Sequence, residues 1–238
     1  MSLQRLDKII ASQGKYSRND VRRLVRNGEI AVNGKAVSDS GMKVDPESDI
    51  INVCGENFGY SEYVYIMLNK PEGVVSASRS PGEKTVVDLV PDELRRSGLF
   101  PAGRLDKDTT GFVLITDDGA FAHDILSPKK HIEKTYIAVL DRPIGDAELE
   151  KFRTGVTLAD GYECLPAQIT PLTDDGLTVE IKLREGKYHQ IKRMTAACGS
   201  HVNKLRRVSM GSLELDSSLA EGECRLISAE ELAKIKRS

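Results

Sequence analysis

The stretch Gly103–Gly111, "GRLDKDTTG", holds most of the reactive chemistry that the sequence advertises. Asp106 and Asp108 stand one residue apart, with Arg104 and Lys107 beside them and Thr109 and Thr110 following. Such a set has three uses. The two carboxylates can hold a divalent cation. One of them can attack an electrophilic carbon while the cations keep it ionised. Or the loop is only a polar turn that opens the apolar run "FVLIT", Phe112–Thr116.

Placement weighs against the metal. Asp106, Asp108 and Thr110 match D-x-D-x-T, the pattern of magnesium-dependent aspartate phosphatases. That chemistry needs its aspartates at the C-terminal end of a strand, where substrates meet an open sheet. Here "LFPAG" precedes the aspartates and the apolar run follows them. A calcium loop fits less well, because Phe112 to Ile115 are apolar where oxygen ligands belong. A nucleophile at a loop tip and a plain polar loop both remain.

The elements that must carry this loop follow from periodicity. "LQRLDKIIASQG" (3–14) and "SRNDVRRLVRNG" (17–28) have helical spacing. In the second, Ser17 and Asp20 are placed as a capping box, and Gly14 and Gly28 are natural stops. Asn33-Gly34 lies between short apolar runs and predicts a type I′ hairpin. Beyond "GENFGYSE" (55–62) the pattern changes. Strands are expected in "YVYIML", "FVLIT", "TYIAVL", "YECLPAQIT", "LTVEIKL" and "KLRRVSMGSLEL". Helices are expected in "GAFAHDIL", "DAELEKFRTG", "YHQIKRMTAACG" and "SAEELAKIK". There is no regular βα alternation, so the fold class is α+β with a mostly antiparallel sheet. The expected division is a small helical and β module over 1–56, a linker over 57–62 and a larger domain over 63–238.

The 238 residues carry a net charge of −2, but the charge is unevenly spread. Met1–Arg26 has seven Lys or Arg against two Asp, and Lys182–Arg207 has eight against one Glu. Two concentrated basic stretches in a near-neutral chain suit a polyanion. The alternative is two solvated helix faces. The four cysteines are scattered without a C-x-x-C pair, which suits reduced thiols rather than a zinc site or disulfides. No apolar run is long enough to span a membrane. The N-terminus lacks a signal peptide's apolar core. A cytoplasmic location is expected.

Four segments in order carry a resemblance. "AGRLDKDTTGFVLITDDG" is similar to the catalytic motif of the RsuA-type ribosomal RNA pseudouridine synthases. "LNKPEGVV" (68–75), "EKTYIAVL" (133–140) and "REGKYHQIKRM" (184–194) resemble the motifs that accompany it. "RLDKIIASQGKYSRNDVRRLVRNGEIAVNGK" resembles the small RNA-binding S-four module. The resemblance implies isomerisation of uridine to pseudouridine in folded RNA, with no cofactor and no metal. Asp106 becomes the nucleophile, and attack on the uracil ring or on the anomeric carbon of the sugar both fit. Asp108 becomes a loop-shaping partner. Lys192 becomes the cation that keeps Asp106 charged, with Arg193 as the alternative. Tyr136 becomes the ring facing the uracil.

On the same basis Arg104 contacts the RNA backbone or the gap left by the uridine; otherwise it pairs with Asp108. The remaining RNA-binding residues are Lys187, Gln190, Arg193, Arg5, Lys8, Arg18, Arg22, Arg23 and Arg26. Lys182, Arg184, Lys187, Lys204, Arg206 and Arg207 are expected to rim the catalytic cleft. The implied partner is ribosomal RNA or an assembling ribosomal subunit, met by a monomer, with small-subunit RNA favoured by "YHQIKRM". A large-subunit paralogue, a D-x-D-x-T phosphatase and a silent RNA-binding assembly factor are the rivals.

Overall fold

A computed structural model of the chain describes residues 3–236 apart from 128, 129 and 131; the outermost residues of the two expected domains, 1, 2, 237 and 238, lie outside the described residues. The chain forms two compact units, Met1–Val64 with Val90–Leu99, and Tyr65–Leu89 with Phe100–Ser238.

The first unit contains β1 (Gln4–Arg5), α1 (Leu6–Ser12), α2 (Arg18–Arg26), β2 (Ile30–Val32), β3 (Lys35–Ala36), β4 (Lys43–Val44), β5 (Ile51–Val53) and β6 (Glu56–Asn57). Leu6, Ile9 and Ile10 of α1 and Val21, Leu24 and Val25 of α2 form its core with Ile30, Val32, Val44, Ile51 and Val53. The apolar stripes that predicted the helices are therefore the buried faces. The Ser17 hydroxyl accepts from the Asp20 N–H at 3.2 Å, and the Asp20 carboxylate accepts from the Ser17 N–H at 3.0 Å. Asn33 and Gly34 both take positive φ, 51° and 75°, the I′ geometry that joins β2 to β3. The strands are ordered β3-β2-β5-β6, and β1 pairs with β4 apart from them. The stretch expected as a linker is packed into this unit. Phe58 and Tyr60 lie against its core, and the Ser61 N–H donates to Gln13. The later segment Val90–Leu99 also belongs here. Gly14 passes so close to the Arg95 carbonyl that a Cβ would stand 1.9 Å from its oxygen.

The second unit contains β7 (Tyr65–Lys70), β8 (Phe100–Pro101), β9 (Thr110–Thr116), α3 (Gly119–Leu126), β10 (Lys134–Leu140), α4 (Asp146–Thr154), β11 (Gln168–Pro171), β12 (Thr178–Leu183), α5 (Gln190–Ala197), β13 (Val202–Met210), β14 (Leu213–Glu214), β15 (Cys224–Leu226) and α6 (Ala229–Ile235). Its sheet runs β11-β12-β10-β13-β9-β7-β15, with β14 beside β13 and β8 beside β9. Every pairing is antiparallel except β13 with β9. The fold is α+β, as the element pattern indicates. Two apolar clusters flank the parallel seam. One is built on Phe152, Ile181, Met194 and Leu205, and the other on Met67, Phe112, Leu114 and Ile125.

Three expected elements differ. Strand structure in "YECLPAQIT" is limited to its end, because Pro166 lacks a ladder donor and the Leu165 N–H turns to the Glu185 carboxylate at 2.7 Å. "KLRRVSMGSLEL" folds back on itself at Gly211, whose φ is 56°. The helix expected from Tyr188 begins at Gln190, because His189 adopts the left-handed conformation.

Candidate active site

The parallel seam gathers the reactive residues. Gly111, the second residue of β9, lies opposite Arg207 of β13, and Arg207 is in turn the register partner of Tyr136 on β10. Neighbouring strands lie about 4.8 Å apart, so the backbones of Tyr136 and Gly111 are roughly 10 Å apart, two strand spacings. The β10–β13 register shifts between Thr135 and Tyr136, and such bulges re-aim a side chain. Gly111 has φ 97°, and a Cβ there would stand 2.2 Å from the Arg207 carbonyl oxygen. Only glycine lets the loop enter β9 this close to β13.

The loop itself is clamped from behind. Lys70, at the end of β7, is fully buried and donates to three carbonyls: Pro71 at 3.0 Å, Lys107 at 3.2 Å and Thr109 at 2.8 Å. The Gly73 N–H also donates to the Lys107 carbonyl at 2.8 Å. The Ser76 hydroxyl donates to the Leu105 carbonyl at 2.9 Å and accepts from the Leu105 N–H at 3.1 Å. The "NKPEGVVS" segment thus holds the backbone on both sides of Asp106. Lys70 is a part of this loop's support that the sequence pattern does not single out. Burial lowers the Lys70 pKa to about 8, although Asp108 and Asp106 pull it upward.

Asp106 is 27 % exposed and lies in a cleft with Arg104, Tyr136, Lys187, His189 and Lys192 among its walls. The Lys192 ammonium stands 3.4 Å from Asp106 Oδ2 and 2.6 Å from Asp108 Oδ1. His189 Nε2 lies 3.5 Å from Asp106 Oδ1. The hydrogen bond from Lys192 holds Asp108 below the usual carboxylate range. For Lys192, burial works downward, but the bond to Asp108 and the charges of both aspartates leave its pKa raised. Of the two candidate cations, Lys192 is the one beside Asp106. Arg193 pairs with Asp160 at 2.5 Å. Among the described residues no three His, Cys, Asp or Glu side chains are grouped to hold a metal ion.

The expected rim is only partly formed. Arg104 is exposed on the cleft wall and makes no ion pair among the described residues; Asp108 pairs with Lys192 instead. Lys187 is exposed, with its ammonium 4.8 Å from the Tyr162 ring centroid. Gln190 is also among the cleft walls, but its amide is engaged within the protein. It is 4 % exposed and bonds to Glu185 and to the Lys187 N–H, which shapes the turn before α5. Arg207 is buried, donating to the Phe112 carbonyl at 2.7 Å, and so belongs to the seam. Lys182, Arg184 and Arg206 pair with Glu180, Glu133 and Glu221. Of the six expected rim residues, only Lys187 is among the cleft walls.

In the first unit, Arg18, Arg22, Arg23 and Arg26 are all exposed on α2, with Arg23 paired to Asp20. Lys8 is exposed on α1. Arg5 is exposed and bound at 2.8 Å to the buried Asp7, whose carboxylate it neutralises.

Comparison with known proteins shows the family. Residues 64–197 match the RNA pseudouridylate synthase family, and residues 4–51 match the S4 domain. The uncharacterized RNA pseudouridine synthase YtzG of Bacillus subtilis (strain 168) is 44 % identical over 230 residues, 96 % of each chain. Ribosomal small subunit pseudouridine synthase A of Escherichia coli (strain K12) is 41 % identical over 235 residues, covering 97 % of this chain and 99 % of that one. A crystal structure of a pseudouridylate synthase superposes with a TM-score of 0.66 at 36 % identity, over 98 % of this chain and all of the other. The clamped aspartate loop thus sits in a chain that belongs to the RNA pseudouridylate synthase family and carries an S4 domain ahead of the synthase region.

Proposed function

We propose that this enzyme converts a specific uridine of small-subunit ribosomal RNA to pseudouridine, with Asp106 as the nucleophile on a uridine flipped into the cleft. The observation that carries the assignment is the Asp106 carboxylate at the cleft wall, facing the Lys192 ammonium at 3.4 Å. The reaction breaks the bond from uracil N1 to C1′ and makes one from C5 to C1′. The proton on C5 leaves and N1 gains one, so there is no net redox change. Asp106 serves by adding to the uracil ring or to C1′ and leaving again. Lys192 faces it with a positive charge at 3.4 Å. Tyr136 offers its ring to the base, and Asp108 fixes Lys192.

A base inside folded RNA reaches this loop only after extrusion, at a cost of a few kcal/mol. Phosphate contacts from Arg104, Lys187 and the α2 arginines offset that cost. The small-subunit preference draws on the Escherichia coli relative, which is named a ribosomal small subunit pseudouridine synthase. On this reading the enzyme works as a cytoplasmic monomer on RNA in an assembling subunit, with the S4 module as a second RNA contact. Among the described residues no helix is long and apolar enough to cross a membrane.

Asp106→Asn tests the nucleophile. Pseudouridine formation is expected to vanish while RNA affinity stays within about twofold, since a neutral isostere barely changes binding by RT ln 2. Residual turnover above a few per cent sinks the assignment. Mapping pseudouridines in ribosomal RNA from cells with and without the gene tests the substrate. One site missing from small-subunit RNA is expected; a site missing only from large-subunit RNA moves the enzyme to the paralogue.

A further inference from the structure

Tyr188 is the most exposed large hydrophobic side chain among the described residues, at 75 %. It joins none of the apolar clusters, and its hydroxyl has no hydrogen-bond partner among the described residues. Yet its ring is not loose. It stacks on His189 with centroids 3.8 Å apart and an interplanar angle of 17°. His189 holds its place with φ 49°, a left-handed conformation disfavoured for any residue bearing a Cβ. Such strain at a cleft is a pointer to function. The imidazole reaches to 3.5 Å from Asp106, so the stack runs outward from the reacting carboxylate to solvent. The other face of Tyr188 is a flat π surface exposed to solvent, between Lys187 and His189, which both line the cleft.

We propose that the Tyr188–His189 stack is a binding subsite for the unpaired nucleobase next to the uridine held in the cleft. The proposal rests on the cleft's taking a flipped uridine. Extrusion leaves the neighbouring bases without one stacking partner. Proteins that recognise unpaired RNA replace that partner with aromatic rings flanked by cations. Tyr188 supplies the ring. Lys187 and Arg104, both exposed on the cleft wall, supply positive charge for the adjoining phosphates. A side chain that serves the fold buries its apolar area, and Tyr188 does not.

The test uses a single-stranded RNA pentamer whose one uridine is flanked on both sides by 2-aminopurine, a base whose fluorescence falls when it stacks. At fixed salt, the wild-type protein is expected to quench the probe on binding. Tyr188→Ala is expected to lose that quenching and bind about tenfold more weakly, within the range for removal of one base–aromatic stack. Tyr188→Phe is expected to keep both. Binding without quenching by the wild type, or unchanged quenching by Tyr188→Ala, overturns the subsite. Loss of both signals in Tyr188→Phe also overturns it, because the hydroxyl and not the ring would then be what the base meets. Asp106→Asn is expected to quench normally. Turnover persisting in that variant refutes the nucleophile and leaves the stack standing, so the two readings fail separately.

Discussion

At the residue scale, two lysines with opposite shifts meet the aspartate loop. Lys192 is held charged by Asp108 and Asp106, with its pKa raised, so it stays protonated throughout the neutral and mildly alkaline range. Lys192→Met is expected to lower kcat far more than it weakens RNA binding, whereas Arg193→Met, which removes the partner of Asp160, spares kcat. Single-turnover kinetics beside equilibrium binding distinguish the two; a pure binding defect in Lys192→Met makes it a phosphate contact instead. Lys70 is shifted downward, to about 8, mainly by burial. Its charged form therefore dominates at pH 7 and is lost as pH rises through about 8. A neutral amine has two N–H donors for the three carbonyls that Lys70 holds, and it no longer favours the ionised aspartates. The profile of kcat/KM is expected to fall above pH 8 with an apparent pKa near that of Lys70. Lys134, whose pKa burial also lowers to about 8, is the control. Lys134→Met should retain the alkaline limb, and Lys70→Met should lack it at reduced activity.

At the scale of elements, the parallel seam between β9 and β13 sets the loop in place, and Gly111 is its tightest point. Gly111→Ala forces a Cβ to 2.2 Å from the Arg207 carbonyl oxygen at a φ of 97°. It is expected to destabilise the synthase unit by upwards of about 2 kcal/mol. At that size Tm falls by roughly 5 °C or more. Calorimetry of the variant checks this, and an unchanged Tm means the seam opens freely. The seam is also the boundary of what local sequence patterns record. Ser17 with Asp20, the Asn33-Gly34 turn and the stripes of α1 and α2 are local patterns, and each is legible within a few residues. So is an aspartate loop placed before an apolar strand. The pairing of Gly111 with Arg207 joins residues nearly a hundred positions apart, and no periodicity encodes it. A lysine in "LNKPEG" reads as solvated until the fold closes carbonyls around it. Gln190 reads as polar and available until Glu185 and the Lys187 N–H take its amide.

At the scale of the whole molecule, a net charge of −2 conceals an uneven spread of basic residues. Lys182, Arg184 and Arg206 are engaged by carboxylates and Arg207 is buried, so the second basic stretch contributes less than its composition promises. The α2 arginines are different. Arg18, Arg22, Arg23 and Arg26 are exposed within little more than two turns, and the one ion pair among them, Arg23 with Asp20, is at the surface. An exposed pair of this kind contributes little to stability, so replacing all four is expected to leave the unit folded. Deleting the N-terminal residues is the poorer experiment, because Val90–Leu99 packs within the same unit and would be stranded. The quadruple change of Arg18, Arg22, Arg23 and Arg26 to Ala is expected to weaken binding of ribosomal RNA and leave Tm nearly unchanged. Each phosphate that the protein no longer neutralises lowers the slope of log affinity against log salt by about 0.7–0.9. With roughly three or four phosphates released in this way, the slope flattens by about 2–4. Turnover of the bound complex should persist, since none of the four belongs to the unit that holds Asp106. Binding isotherms at several salt concentrations decide the matter: an unchanged slope means that α2 does not track the RNA backbone, and the S4 module then meets RNA through another face.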